Sequence, residues 1–285
     1  MKKHAYLIIA HNEFEVLNLL LQALDDPYND IYIHFDKKMK RIPLLKCTKS
    51  ELFILENRID VRWGHISQIE AEYALFEEAY KNKERYTRYH LISGVHFPLK
   101  KQNEIHTFFE TCENKELLCF LGVDDYEINL KLERYHFCVK NYQHSNSFLR
   151  RLSQLSWTFL LKVQYFFKIQ KKPMNVDIKA NQWVSLTPKA IDLIVQEKQK
   201  VLSEFKWSFC ADEFFVPYVL QKYSDTCEIV NDKRLLYNEF IGSRPRLLTN
   251  DDYDFLIHSD YFFARKFSKT DLVVIEKILK NIKPE

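Results

Sequence analysis

The sequence predicts an α/β protein that opens with a Rossmann-like βαβ half. Three observations lead there. The run Ala5-Tyr6-Leu7-Ile8-Ile9-Ala10 is continuously apolar, as a parallel strand buried on both faces must be. A helical period over 14–24 follows, stopped by Asp25-Asp26-Pro27, and a second apolar strand over 31–35 completes a βαβ unit. Apolar strands and amphipathic helices then alternate along most of the chain. In such a fold the ligand crevice lies outside the C-terminal ends of the strands, and His11 and Asp36 fall there.

In chain order, Asn12 is placed to cap the first helix, with Glu15 as its capping-box partner. A third strand is expected over 52–55 and a short fourth over 59–63, ending in Trp63-Gly64. Ser67 opens a helix with Glu70 as partner. Its face Ile69, Tyr73, Phe76, Tyr80 reads as core. A strand over 89–94 leads into Phe97-Pro98-Leu99, a short helix covers 103–111, and an apolar strand over 117–123 is closed by Asp124-Asp125. Thr187-Pro188 starts a helix over 190–198. A short strand is expected over 227–230, a helix from the Thr249/Asp252 cap to residue 257, and a closing helix capped by Thr270 with Leu272, Ile275, Ile278, Leu279 and Ile282 on one face.

Composition narrows the functions. With 285 residues, 46% hydrophobic and 28% charged, the chain is globular and long enough for a large core. Only 4 glycines are present, which excludes a P-loop or a GxGxxG cradle. Bound phosphates must therefore be held by side-chain cations or helix ends. A net charge of +3 does not argue for nucleic acid. The 6 cysteines are scattered without CxxC spacing, so they read as reduced, buried thiols of a cytoplasmic protein rather than a zinc site. No signal peptide or transmembrane run is written.

Two stretches carry chemistry. In Trp207-Ser208-Phe209-Cys210-Ala211-Asp212-Glu213-Phe214-Phe215-Val216-Pro217 adjacent carboxylates lie in an aromatic setting before a short helix. They either cap that helix or supply a general base. The segment 134–172 has no acidic residue. Within 147–172, Arg150, Arg151, Lys162, Lys168, Lys171 and Lys172 flank an apolar, aromatic middle. This is either a helix on an anionic membrane or a buried helix with cationic ends.

The site residues then suggest one reaction. Asp36 can take ribose hydroxyls or a base N–H, and Trp63 can stack on a base. Arg244, Arg246, Arg265 and Lys266 can neutralise a diphosphate leaving group without a metal. Asp124-Asp125 is adjacent rather than spaced as Asp-x-Asp, which favours a metal-independent mechanism.

In order, the blocks Tyr6 to Asn12, Ile33-His34-Phe35-Asp36-Lys37-Lys38, Val61-Arg62-Trp63-Gly64 with Ser67, Leu91-Ile92-Ser93-Gly94 to Phe97-Pro98-Leu99, Ala211-Asp212-Glu213 and Phe263-Ala264-Arg265-Lys266-Phe267 resemble the core-2/I-branching β-1,6-N-acetylglucosaminyltransferase family, which includes peptide O-xylosyltransferases. The resemblance spans nearly the whole chain. It implies a single GT-A type domain over 1–285 with a mixed central sheet, in which 1–125 binds the nucleotide sugar and 126–285 carries the acceptor and catalytic half. It implies an inverting transfer from a UDP-sugar, most simply UDP-N-acetylglucosamine, to a glycan hydroxyl, with no divalent metal or other cofactor. Glu213 matches the base; Ile9, His11, Asp36 and Trp63 match uridine positions; Lys266 faces the diphosphate, with Arg244 and then Arg246 as its partner. Glu133 and Arg134 resemble an acceptor region, and Asp212 keeps the capping role.

Ala211 departs from the family's proline, and His96 from its aspartate before Phe97-Pro98, which puts that turn's hydrogen bonding in question. The animal enzymes' anchor, stem and disulfides are not written here, which points to a bacterial, cytoplasmic member. Such a member would act in cell-surface polysaccharide or glycoconjugate synthesis, and its partners would be the donor, a glycan or lipid-linked acceptor, and an anionic inner-leaflet surface met through 147–172. The alternatives are UDP-xylose or another UDP-sugar as donor, and a non-catalytic, membrane-peripheral glycan-binding protein on the same fold.

Overall fold

A computed structural model describes residues 2–242 and 244–283. Its centre is a seven-stranded sheet. We label its strands β1 (Lys3–Ala10), β2 (Asn29–Phe35), β3 (Glu51–Ile54), β4 (Tyr86–Ser93), β5 (Lys115–Leu118), β6 (Ser185–Leu186) and β7 (Glu228–Asn231), in the spatial order β7-β5-β6-β4-β1-β2-β3. All neighbours pair in parallel except at β6, which is antiparallel to both β4 and β5. The sheet is therefore mixed, as expected. β1 and β2 are central and almost wholly buried, which is why 5–10 reads as an unbroken apolar run and 31–35 as a largely apolar one.

The helices are α1 (Phe14–Leu24), α2 (Ser67–Tyr80), α3 (Gln102–Glu110), α4 (Asp125–Leu132), α5 (Ser147–Phe166), α6 (Pro188–Gln196), α7 (Lys198–Phe205), α8 (Phe215–Gln221), α9 (Tyr253–His258) and α10 (Val273–Ile282). The crossovers β1-α1-β2 and β3-α2-β4 step along the sheet in opposite directions. With right-handed connections they place α1 and α2 on opposite faces. α2 packs on β1, β2 and α6, and α6 on β4, while α1 packs against α10. A second, three-stranded sheet made of Leu236–Asn238, Phe263–Arg265 and Phe97–Pro98 brings the C-terminal part of the chain to the strand ends.

The helix limits at 14–24 agree with the sequence, but the expected cap does not form. Glu13 occupies the cap position with φ 54°, and its carboxylate accepts from the Lys269 N–H at 2.6 Å and the Ser268 hydroxyl at 3.1 Å. Asn12 instead lines the cleft. Residues 59–63 form no strand: Ile59 accepts from the Lys37 N–H and donates to His34 Nε2, which holds the segment as a loop beside β2. The apolar run 117–123 breaks after β5 into a separate short pair, Phe120–Leu121 with Lys179–Ala180. Ser67 begins α2, but its hydroxyl accepts from the Arg62 N–H at 2.8 Å rather than capping the helix. The Thr249/Asp252 capping box and the Thr187 cap form as expected. Thr270 lies within a 3-10 turn, and α10 begins after Leu272. His96 takes the place of the expected aspartate functionally: its Nδ1 accepts from the Ser93 N–H at 3.0 Å and lies 2.7 Å from the Ser93 hydroxyl. All six cysteines are free thiols, but only Cys119 and Cys227 are buried as expected; Cys47, Cys112 and Cys210 are partly exposed and Cys138 is exposed. No helix of the described residues is long and apolar enough to cross a membrane.

Eight histidines have lowered pKa values, with burial the leading cause in each. Three of them, His4, His90 and His106, lie in one cluster, with His4 Nδ1 and His90 Nε2 3.1 Å apart. Burial raises the carboxyls of Glu72, Glu116 and Asp212. A histidine held below its free value contributes stability that is whole above about pH 6.5 and is lost as the pH falls. The raised carboxyls act with the opposite sign, but the histidines outnumber them. The thermal midpoint is therefore expected to fall between pH 7 and pH 5, with about 1.4 kcal/mol per pH unit for each net proton taken up on unfolding. A higher midpoint at pH 5 than at pH 7 would contradict this balance.

Candidate active site

A cleft of about 840 Å³ opens at the C-terminal ends of β1, β2 and β4. It is lined there by Ile9 near the end of β1 with His11 and Asn12 after it, by Asp36 and Lys38 after β2, and by Ser93 at the end of β4. The Asp36 N–H donates to Ala10 O at 3.1 Å, tying the two strand ends together. The buried Asp36 carboxylate accepts from the Lys38 N–H at 2.8 Å and pairs with the Lys38 ammonium at 2.8 Å. It is thus fixed in orientation and neutralised at the crevice floor.

Trp63 enters the cleft from the loop before α2, half exposed and stacked on Tyr142 at 5.7 Å between ring centroids. Gly64 sets that position. Its φ is +71°, and a Cβ there would lie 2.6 Å from the Phe209 ring, so both backbone conformation and space require glycine. Gly64 O accepts from the Cys210 N–H at 3.0 Å, joining the tryptophan loop to the carboxylate segment.

Asp212 and Glu213 lie in a 3-10 turn, Ala211–Glu213, just ahead of α8. Neither side chain caps a helix, so the capping role expected of Asp212 is not seen. Asp212 accepts from Gln68 Nε2 at 2.8 Å, and its other oxygen has no partner among the described residues. Burial, and then the charge of Glu213, push its pKa up to about 7. The buried Glu72 of α2 lies nearby, accepting from Gln182 at 2.8 Å, and its pKa is also raised, by burial and then by Asp212. Glu213 is treated differently. Its carboxylate lies 2.9 Å from the Lys131 ammonium of α4 and 3.6 Å from that of Lys179. Glu127 bridges the same two lysines at 2.8 and 2.7 Å. Burial lowers the pKa of Lys131, but Glu213 and Glu127 override it and the net shift is upward. Adjacent carboxyls are thus set apart: one fully buried and easily protonated, the other paired directly with cations.

Cations come from the second sheet. Arg265 and Lys266 both line the cleft. Burial brings the Arg265 guanidinium down to about 10. It lies 5.4 Å from the Trp183 ring centre, and its Nε has no hydrogen-bond partner among the described residues. Lys266 is lowered by burial and then by Arg265. Four predicted positions lie elsewhere. Arg246 is bound by Glu239 at 2.6 Å and by Asp252 at 2.7 Å, which fixes its guanidinium outside the cleft lining. Arg244 is exposed on a hairpin from which Pro245 reaches the cleft. Arg134 is buried. It donates to Asn129 and to Ile169 O and lies over Tyr165, so it fastens α4 to the end of α5. Glu133 accepts from Asn129 Nδ2 and, through its backbone, from the Lys171 N–H. Ile9, His11, Asp36, Trp63, Glu213 and Lys266 are therefore brought together; Arg244, Arg246, Glu133 and Arg134 are not. Lys131, Lys179 and the wall residues His144 and Ser145 had no local sequence signal.

Fold and cleft together define an α/β protein with a large crevice at the C-terminal ends of its central strands. A family model described as Core-2/I-Branching enzyme matches residues 4–238. The chain belongs to that family, whose members are glycosyltransferases. A mouse relative (Mus musculus), beta-1,3-galactosyl-O-glycosyl-glycoprotein beta-1,6-N-acetylglucosaminyltransferase 4, is 21% identical over 314 residues, which cover 99% of this chain and 66% of the relative. Just under two thirds of that protein's length is therefore matched. The apo crystal structure of mouse xyloside xylosyltransferase 1 aligns over 93% of this chain and 97% of its own, with TM-score 0.39 and 9% identity.

Gly64→Ala should destabilise the fold by about 1–3 kcal/mol, through φ strain and displacement of Phe209. Urea unfolding measures this, and an unchanged midpoint would show that the Trp63 loop does not need the glycine.

Proposed function

We propose that the chain is an inverting, GT-A type glycosyltransferase that moves a sugar from a UDP-sugar to a glycan hydroxyl without a divalent metal. The observation that carries this reading is the convergence on one cleft of Asp36, Trp63, Glu213, Arg265 and Lys266, from segments far apart in sequence. The cleft's size suits a nucleotide sugar. Asp36 takes the uridine, with Trp63 beside it. Glu213 removes the proton from the acceptor hydroxyl as its oxygen attacks the anomeric carbon. The bond from that carbon to the diphosphate breaks on the opposite side, and the leaving UDP carries its charge towards Lys266 and Arg265. Supporting metal independence, the cleft carboxylates of Asp36 and Glu213 are engaged by lysines, while two cations line the wall where the diphosphate would leave.

N-acetylglucosamine is the sugar favoured, on the strength of the mouse relative's name. The setting proposed is cell-surface polysaccharide or glycoconjugate synthesis at the cytoplasmic face of a membrane. A panel of UDP-sugars assayed for donor hydrolysis tests the reading. Turnover of UDP-N-acetylglucosamine above the others is expected, preferred use of UDP-xylose would reassign the donor, and no turnover or UDP binding would favour a non-catalytic glycan-binding protein.

Glu213→Gln should lower kcat by about 10²–10⁴-fold while UDP still binds. Retained turnover would remove Glu213 from the base role. Activity should persist in excess EDTA, and a strict Mn²⁺ requirement would overturn the metal-free mechanism. Lys266→Ala should weaken UDP binding roughly tenfold or more, whereas Arg246→Ala should lower the melting temperature and leave UDP affinity nearly unchanged. Calorimetry separates the two.

A further inference from the structure

α5 turns Ser153, Leu161 and Gln164 inward, and hydrogen bonds from its inner side hold it to the protein. Gln164 brackets the Tyr135 backbone, accepting from its N–H at 2.8 Å and donating to its carbonyl at 2.9 Å. Trp157 Nε1 donates to His136 Nδ1 at 2.9 Å, and Gln154 donates to Tyr142 O at 3.1 Å. The outward side is apolar. Phe148, Leu152, Leu155, Phe159 and Phe166 form one stripe along the helix and are 71, 52, 61, 65 and 80% exposed. Phe167 and Ile169 extend it past the helix end. A helix that packs on a core turns its apolar stripe inward; a long stripe facing out marks a contact surface.

Charge says what covers it. Arg151 and Lys162 flank the stripe, Lys168 and Lys172 follow it, all four are exposed, and no acidic residue occurs from 134 to 172. A second copy of the same helix would set these cations against their like. An anionic lipid surface satisfies both features, since apolar side chains enter the acyl boundary while lysines and arginines meet phosphates. We infer that 147–172 docks the protein on an anionic bilayer, with Phe148, Leu152, Leu155, Phe159 and Phe166 inserted. The loop leading into α5 supplies Lys140, His144 and Ser145 to the cleft wall, so docking sets the cleft beside the headgroup layer. That an acceptor carried by a lipid is thereby brought within reach rests on the transferase reading; the docking itself does not.

Flotation of the full chain, without donor, on phosphatidylcholine vesicles with and without about 30% phosphatidylglycerol tests the inference. The chain should float with the anionic vesicles and remain behind with the neutral ones. Leu155→Glu/Phe159→Glu should abolish flotation without lowering the melting temperature, since both positions are exposed. Arg151→Gln/Lys162→Gln/Lys168→Gln/Lys172→Gln should weaken it about tenfold or more. No flotation with anionic vesicles, or flotation unchanged in both variants, overturns the proposal. A concentration-dependent dimer that is lost in Leu155→Glu/Phe159→Glu, with no vesicle binding, assigns the stripe to a second copy instead. Either failure leaves the donor assay untouched.

Discussion

The pairing of Glu213 with Lys131 and Lys179 is the contact on which the cleft depends. A partly buried carboxylate is costly unless it is charge-compensated. Compensation here comes from outside its own segment: Lys131 from α4 and Lys179 from the short strand beyond α5, with Glu127 balancing the second positive charge. The four groups draw three distant parts of the chain together behind Glu213, which lines the cleft. Removing one partner would leave an unbalanced charge in a half-buried site, which is why the arrangement resists piecemeal change.

The same constraint explains why two adjacent carboxyls differ. Asp212 turns toward Gln68 and the buried Glu72, where the charge of Lys131 offsets only part of the cost of burial, and its affinity for a proton rises accordingly. Had both residues faced the lysines, neither would be distinguished by its surroundings. The turn Ala211–Glu213, entered through Cys210 at φ 51° and pinned by Gly64 O, sends consecutive side chains into different electrostatic settings. Separating the roles thus depends on backbone geometry at two residues that carry no charge.

Much of this fold was legible because its signals are local. Strands buried on both faces are mostly apolar, so β1 and β2 stood out, and topology alone placed Asp36 at the cleft floor. The 14–24 helix was legible from its period although Asn12 does not cap it, because packing of its apolar face, rather than the cap, stabilises it. What could not be read were pairings made across the chain. Arg246 looks as available as Arg265 in sequence, but Glu239 and Asp252 occupy one and the fold leaves the other at the cleft wall. Arg134 looks exposed in a basic stretch, yet it is buried under Tyr165. His96 looked like a loss of hydrogen bonding, but an unprotonated ring nitrogen accepts from the Ser93 N–H as a carboxylate oxygen would.

Composition alone left the 147–172 segment open between a buried helix and a surface one, because both are apolar and periodic. Orientation separates them. Hydrogen bonds from Gln164, Trp157 and Gln154 hold the helix by its inner side, and such bonds are stronger in the partly dry interface they occupy than they would be facing water. Burying the apolar side against the protein instead would have left those polar groups facing solvent and the Tyr135 and Tyr142 backbone groups without these partners. The inward polar contacts therefore select the outward apolar stripe. The cleft wall formed by the preceding loop is tied to the same choice, because Tyr142 bonds to α5 on one side and stacks on Trp63 on the other. Any force applied to the outer face of α5 is thus one residue removed from the wall of the cleft.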